Sequence, residues 1–223
     1  MVIGRPAMKE KIDKVELNTS NEIIKQKSQF KILGFLTNRR LSPDSHLNHV
    51  TSLISYRINQ FNSLKKYASE NIRKKYAVSS LLSVLEYGMP LYADEGPKIK
   101  LNVHRNIMRI ARFIRASYCF KKSTNNILSS VGIDDSDTMI NKSTAKYIHK
   151  IIHTGKPRAV NNLYRKQRTR QCTAIFPKYF SSTLMFDRNL YNSSIKIYNS
   201  IPADIRSLPP IKFKKKLDQL SKK

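Results

Sequence analysis

The sequence predicts a mainly α protein with a small β region at its N-terminus. Three observations carry that expectation. Short apolar runs separated by turn residues fill residues 1–37. From Ser42 onward the apolar residues recur at intervals of three and four, the spacing of a helix that buries one face. Glycine, proline and N-cap residues then punctuate the chain at helical lengths.

Taken in order, Met1-Val2-Ile3 is an apolar stub. Val15-Glu16-Leu17 and Ile23-Ile24 flank Asn18-Thr19-Ser20-Asn21, whose side chains suit a turn. Phe30-Lys31-Ile32-Leu33-Gly34-Phe35-Leu36 is the strongest strand candidate, with Gly34 allowing a bulge or a close backbone approach. Ser42-Pro43-Asp44 opens a helix with a hydroxyl cap, a proline at the first position and an acid in the first turn. Its apolar line is Leu47, Val50, Ile54, Ile58, Phe61 and Leu64. A second helix runs from about Ser69 to Tyr87 through Ile72, Tyr76, Leu81, Leu82 and Leu85, and Gly88-Met89-Pro90 breaks it.

The third helix, over 98–116, is the cleanest amphipath. At 100° per residue Val103, Ile107, Ile110 and Ile114 share one face, and Lys98, Arg105, Arg109 and Arg112 gather on the other. Helices follow near 124–131 and 136–153. The basic stretch from Gly155 through Arg170 reads as a loop or hinge. A helix from about Asp187 ends before Ile201-Pro202, and a basic helix beginning at Ile211 closes the chain. The division expected is 1–40, 41–120 and 121–223.

Charge narrows the function. Forty-two Lys and Arg against fifteen Asp and Glu leave the 223 residues at +27. Such a surface repels itself unless a polyanion neutralises it, and counterion release makes nucleic acid the favoured partner. No apolar run is long enough to cross a membrane. Cys119 and Cys172 are far apart and outside any C-x-x-C spacing, which fits unpaired thiols in a reducing compartment.

Enzymatic signals are weak. Residues 90–97, PLYADEGP, bring Tyr92-Ala93-Asp94 close to the metal-binding box of a polymerase. Two-metal chemistry needs its carboxylates on a rigid turn between apolar strands, whereas this segment follows a helix and runs into Gly96-Pro97. It reads as an acidic loop between helices. His46 and His49, and His149 and His153, lie at helical spacing, but no further ligands at zinc-module spacing accompany them. No phosphate-cradling glycine motif is present. No cofactor or metal is therefore expected in this chain.

The basic clusters remain: Arg39-Arg40, Lys65-Lys66, Arg73-Lys74-Lys75, the helical set Lys98, Arg105, Arg109 and Arg112, Lys121-Lys122, and Arg165-Lys166 with Arg168. With about five phosphate contacts, affinity would fall several hundred-fold between roughly 50 and 200 mM salt. Tyr67, Tyr76, Tyr118, Tyr164 and Tyr179 interleave with these clusters and are candidates for stacking on bases.

Several segments in order resemble the C-terminal part of LINE-type (non-LTR, jockey-like) retrotransposon reverse transcriptases. Met1-Val2-Ile3-Gly4 resembles a strand at the edge of their palm, and Val15 to Ile24 the hairpin after it. Phe30-Lys31-Ile32-Leu33-Gly34-Phe35 is similar to their Lys-X-Leu-Gly primer-grip strand. Leu41, His46, Leu47 and Val50 look like the opening of the thumb. Ser83 to Tyr92 resembles an apolar-Tyr-Gly-X-Pro segment, with Tyr92 where tryptophan is common. Ile197-Tyr198-Asn199-Ser200-Ile201-Pro202 is similar to a Leu-Trp-Asn-X-Leu-Pro signature, again without the tryptophan, and Phe213-Lys214-Lys215 to a final Phe-Lys helix.

The resemblance implies a palm-edge β segment, a helical thumb and a helical C-terminal extension. Phe30, Lys31, Leu33, Gly34 and Phe35 would line a primer, and the helices at 44–66 and 98–116 would meet the template–primer backbone. The family's metal-binding aspartates precede the primer-grip strand, so they would lie before Met1. The expectation is a fragment of an RNA-directed DNA polymerase, not an enzyme alone, whose parent would use Mg²⁺. Its partners would be RNA, DNA or their hybrid, and the missing palm and fingers. The competing expectations are a stand-alone basic helical adaptor and a remnant without function. An unpartnered palm edge would aggregate or stay partly molten, whereas an adapted module would unfold cooperatively. The compartment, nucleus or cytoplasm, stays open, since Lys214-Lys215-Lys216 is short for an import signal.

Overall fold

The computed structural model describes residues 17–18, 23–24, 27–38, 42–93, 95–116, 124–161, 167–168, 174–175 and 190–220. The described residues are mostly helical, and a small antiparallel β region precedes the helices, so the class is mainly α. Two compact units divide the chain at residues 1–60 and 61–223. Met1-Val2-Ile3, Arg39, Arg40, Asp94, Tyr118, Cys119, Lys121, Lys122, Tyr164, Arg165, Lys166, Cys172 and Tyr179 lie outside the described residues.

In the first unit, β1 (Leu17–Asn18) pairs antiparallel with β2 (Ile23–Ile24), as the turn residues between them imply. The expected single strand over Phe30 to Leu36 is instead a hairpin. β3 (Gln29–Ile32) pairs with β4 (Phe35–Asn38), Ile32 opposite Phe35 and Phe30 opposite Thr37. Leu33 (φ 48°) and Gly34 (φ 88°) form the two-residue turn. Positive φ at both positions matches the twist of a tight hairpin. Gly34 therefore serves the turn, not a bulge, and Leu33 holds a conformation that a branched side chain rarely adopts.

Helix α1 (Asp44–Phe61) starts as its sequence requires. The Asp44 amide donates to Ser42 Oγ at 3.3 Å, and the Leu47 amide donates to the Pro43 carbonyl at 2.8 Å. Leu47, Val50, Ile54 and Ile58 are buried, together with His46. The Phe35 and His46 rings meet at 4.0 Å, and burial, reinforced by His49, lowers the His46 pKa. The helix ends at Phe61, so Leu64 leaves the apolar line and is exposed. Successive turns, including Leu64 N–H to Phe61 O at 3.1 Å and Tyr67 N–H to Leu64 O at 3.0 Å, carry residues 62–68.

The second unit begins at Phe61, whose ring stacks on Tyr76 at 4.5 Å and meets Phe113 edge-on at 5.5 Å. The second helix runs from a Ser69 cap as α2 (Glu70–Tyr76), a π-helical segment (Ala77–Leu82) and α3 (Ser83–Glu86). Its buried residues are Arg73, Ala77, Leu81, Leu82 and Leu85. Ile72, expected on this face, is exposed.

Gly88 ends the helix, and Met89–Tyr92 form a 3₁₀ turn leading to α4 (Pro97–Arg115). PLYADEGP is thus a connection between helices, and Tyr92 is part of the core rather than of a strand turn. Burial raises the Tyr92 pKa, and its hydroxyl finds no hydrogen-bond partner among the described residues.

Helix α4 packs against α2, the π segment, α5 (Thr124–Val131) and α6 (Ser136–Thr154). Asp135 caps α6, and Gly155 (φ 65°) ends it in the left-handed conformation typical of a helix terminus. The stretch after Gly155 is not one loop: α7 (Arg158–Asn161) and a strand pair, β5 (Gln167–Arg168) with β6 (Ala174–Ile175), interrupt it. Helices α8 (Leu190–Asn199), α9 (Ala203–Arg206) and α10 (Pro210–Leu220) follow.

The last helices close on α6 through Ala145, Ile148, Ile151, Ile195, Tyr198, Ile205, Phe213 and Leu217. A polar group sits inside that core. His149 Nε2 lies 2.9 Å from the Leu208 carbonyl and must donate to it, so Nδ1 of the neutral ring accepts from Tyr198 OH at 2.9 Å. The imidazole stacks on Phe213 at 3.7 Å. Burial first, and then the neighbouring His153, lower its pKa to about 4 against the opposing pull of the Leu208 bond. Burial likewise raises Tyr198 to about 12, with Arg206 pulling the other way.

Two expectations follow. Between pH 6.5 and about 4 the unfolded chain takes up a proton that folded His149 refuses, so stability falls on acidification across that window. Urea midpoints should drop there in the native protein and drop less in His149→Gln. Tyr92→Phe removes a buried hydroxyl without a partner among the described residues and should raise stability by about 1 kcal/mol, read from the same titration.

Candidate nucleic-acid interface

Helix α4 is charged in one sense only: its nineteen residues include six Lys or Arg and no Asp or Glu. Val103, Ile107, Ile110 and Ile114 are fully buried or nearly so, as their spacing demands. Burial also takes in Ile99, Asn106, Met108, Ala111 and Phe113, because the helix has neighbours on several sides. What remains outside is a narrow ridge. Lys98, Leu101, Arg105 and Arg109 are exposed along it, and Arg112 is half-buried at its edge. At 1.5 Å per residue, Arg105 and Arg109 stand about 6 Å apart along the axis, and Lys98 and Arg109 about 16 Å. Arg105 Nη1 donates to Asn102 Oδ1 at 3.4 Å, a bond within the ridge that steadies the side chain without neutralising it.

The cluster Arg73-Lys74-Lys75 splits into three roles. Arg73 is buried, and its guanidinium donates to three backbone carbonyls: Nε to Ile114 at 2.7 Å, Nη1 to Lys65 at 3.4 Å and Nη1 to Ala68. Ile114 belongs to the last turn of α4, whose carbonyls lack partners within the helix. Lys74 Nζ donates to the Val131 carbonyl at 2.6 Å, at the end of α5. A cation at a helix C-terminus also complements the macrodipole. Lys75 is exposed to solvent. A positional signal separates Arg73: it lies at i, i+4 spacing with Ala77, Leu81 and Leu85, on the buried line.

Lys65 is half-buried and Lys66 exposed in the 62–68 loop. The hairpin residues Phe30, Lys31 and Leu33 are exposed, whereas Phe35 is half-buried beside His46. Arg168 is in β5. Of the tyrosines, Tyr76 is committed to the Phe61–Phe113 cluster, while Tyr67 is 87% exposed.

A cleft of about 380 Å³ opens between α6 and α10, lined by Glu86, Asp134, Lys142, Lys146, Lys214 and Asp218 among others. Two ion pairs lie in it: Lys142 with Asp134, and Lys146 with Asp218 at 2.7 Å. The α4 helix has no acid of its own. Among the described residues no three His, Cys, Asp or Glu side chains gather as a metal site would require, and no helix is long and apolar enough to cross a membrane. Comparisons with protein families, with characterised proteins and with solved structures find no match for this chain.

Because hydrogen bonds from a buried guanidinium are worth more than neutral ones, Arg73→Ala should destabilise the fold by about 3 kcal/mol. Arg73→Lys should lose most of this, since an ammonium cannot reproduce the planar fork. Lys75→Ala should stay within about 0.5 kcal/mol of the native protein in the same urea titration.

Proposed function

We propose that this chain binds nucleic acid through the phosphate backbone, as the thumb region of a non-LTR retrotransposon reverse transcriptase would, and does not polymerise by itself. The observation that carries the reading is the α4 ridge. Its exposed cations line up on a helix without one acid, in a chain of net charge +27. Burial on the remaining faces fixes the ridge, so its charges reach a polyanion without reorganising the fold. Contacts of this kind position a nucleic acid without reading its sequence.

The ordered sequence resemblance supports the same class of partner, a template–primer duplex or one of its strands. On this reading the chain lacks the aspartate pair that would hold Mg²⁺, and the catalytic part belongs to a parent polymerase. The exposed β3 strand and the Leu33-Gly34 turn would meet the primer.

The test uses Lys98→Ala, Arg105→Ala and Arg109→Ala in one protein, leaving the half-buried Arg112 intact. Binding to an RNA–DNA hybrid, followed by fluorescence anisotropy across a salt series, should weaken. The slope of log affinity against log salt should fall by roughly 0.9 for each phosphate that the variant no longer neutralises. An unchanged affinity and slope would overturn the reading. Primer extension by the purified chain should be absent with Mg²⁺ supplied, and measurable extension would refute the non-catalytic part.

A further inference from the structure

We infer that the 62–68 loop is a stacking platform for an unpaired nucleobase, with Tyr67 as the ring on which the base rests. The inference deepens the nucleic-acid reading above and rests on it. Tyr67 is 87% exposed and Leu64 56% exposed, and Lys65 and Lys66 stand between them. An exposed tyrosine alone signifies little. Here the backbone beneath it is fixed from within. Tyr67 and Ala68 both donate their amides to the Leu64 carbonyl at 3.0 Å, and the carbonyls of Lys65 and Ala68 accept from the buried Arg73 guanidinium.

The same guanidinium holds the Ile114 carbonyl, so the loop lies beside the end of α4, where Arg115 is exposed. An aromatic ring is therefore exposed on an ordered loop that carries Lys65 and Lys66 and lies next to the end of α4. A stacked base and its neighbouring phosphates match that pairing of surfaces, since every base has a π-face and every nucleotide a charge. A loop ordered before binding also forfeits less conformational entropy when the ligand arrives. In a duplex the bases are already stacked on one another. The ligand that uses Tyr67 is a single strand, or the unpaired end of a template.

Anisotropy with labelled oligo-deoxythymidine, oligo-uridine and a blunt DNA duplex tests this with the full chain. Tyr67→Ala should weaken binding to the single strands about tenfold and leave both duplex binding and the salt slope unchanged. Tyr67→Phe should bind as the native protein does, because the ring and not the hydroxyl makes the contact. A loss for oligo-uridine alone would confine the site to RNA, and a loss for oligo-deoxythymidine alone would confine it to DNA. Single-strand binding unaffected by Tyr67→Ala, in a protein still weakened by the α4 substitutions, would overturn the platform and leave the ridge standing. Equal loss on duplex would overturn it as well. A native chain that binds none of the three probes would overturn the platform, and one that fails on the RNA–DNA hybrid as well would overturn both readings.

Discussion

Helix α4 is the constraint around which the second unit is arranged. An amphipathic helix at a protein surface ordinarily buries about a third of its circumference. This one is covered by α2, the π segment, α5 and α6, and its buried residues extend well beyond the four-residue apolar line. Its cations had to go where the neighbours are not. The narrow basic ridge is thus a by-product of packing as much as of composition: burial on the other faces concentrates the charge that a less covered helix would spread.

The Arg73 guanidinium connects that helix to the loop before α2. Three carbonyls from two segments converge on one planar group, two from the loop and one from the last turn of α4. Lys74 serves the end of α5 in the same way. A chain with this much positive charge uses part of it internally, where backbone carbonyls at helix ends stand in for the scarce carboxylates. Carboxylates appear where two long side chains need matching, in the α6–α10 cleft.

Most of the helical architecture was legible because its signals are local. The Ser42-Pro43-Asp44 start, the Ser69 cap, the break at Gly88 and the limits of α4, α5 and α6 all follow from residues within one turn of the boundary. The misses share a different cause. Phe30 to Leu36 contains no Asn-Gly or Asp-Gly to mark Leu33-Gly34 as a hairpin turn, and a mostly apolar run interrupted by Lys31 and Gly34 reads as one strand with a bulge. Arg73 and Lys75 differ by two positions in one basic triplet, yet one is buried and the other is not. The spacing of Arg73 with Ala77, Leu81 and Leu85 places it on the buried line, a signal that is lost when the three cations are taken as one cluster. The α4 ridge was legible from its spacing, and so was the place of Tyr76 on the apolar line of its helix; that the rings of Phe61 and Phe113 are what it packs against came only from tertiary structure.

The π segment between Tyr76 and Ser83 has a meaning for descent. A widened turn accommodates one residue more than an α-helical turn and rotates everything after it relative to everything before. Such a turn is a place where a helix can take up one extra residue without a loop. A relative lacking that residue would carry an uninterrupted helix with the same buried face, and aligning the two chains would open a single gap within AVSSLL, where gaps are ordinarily penalised most.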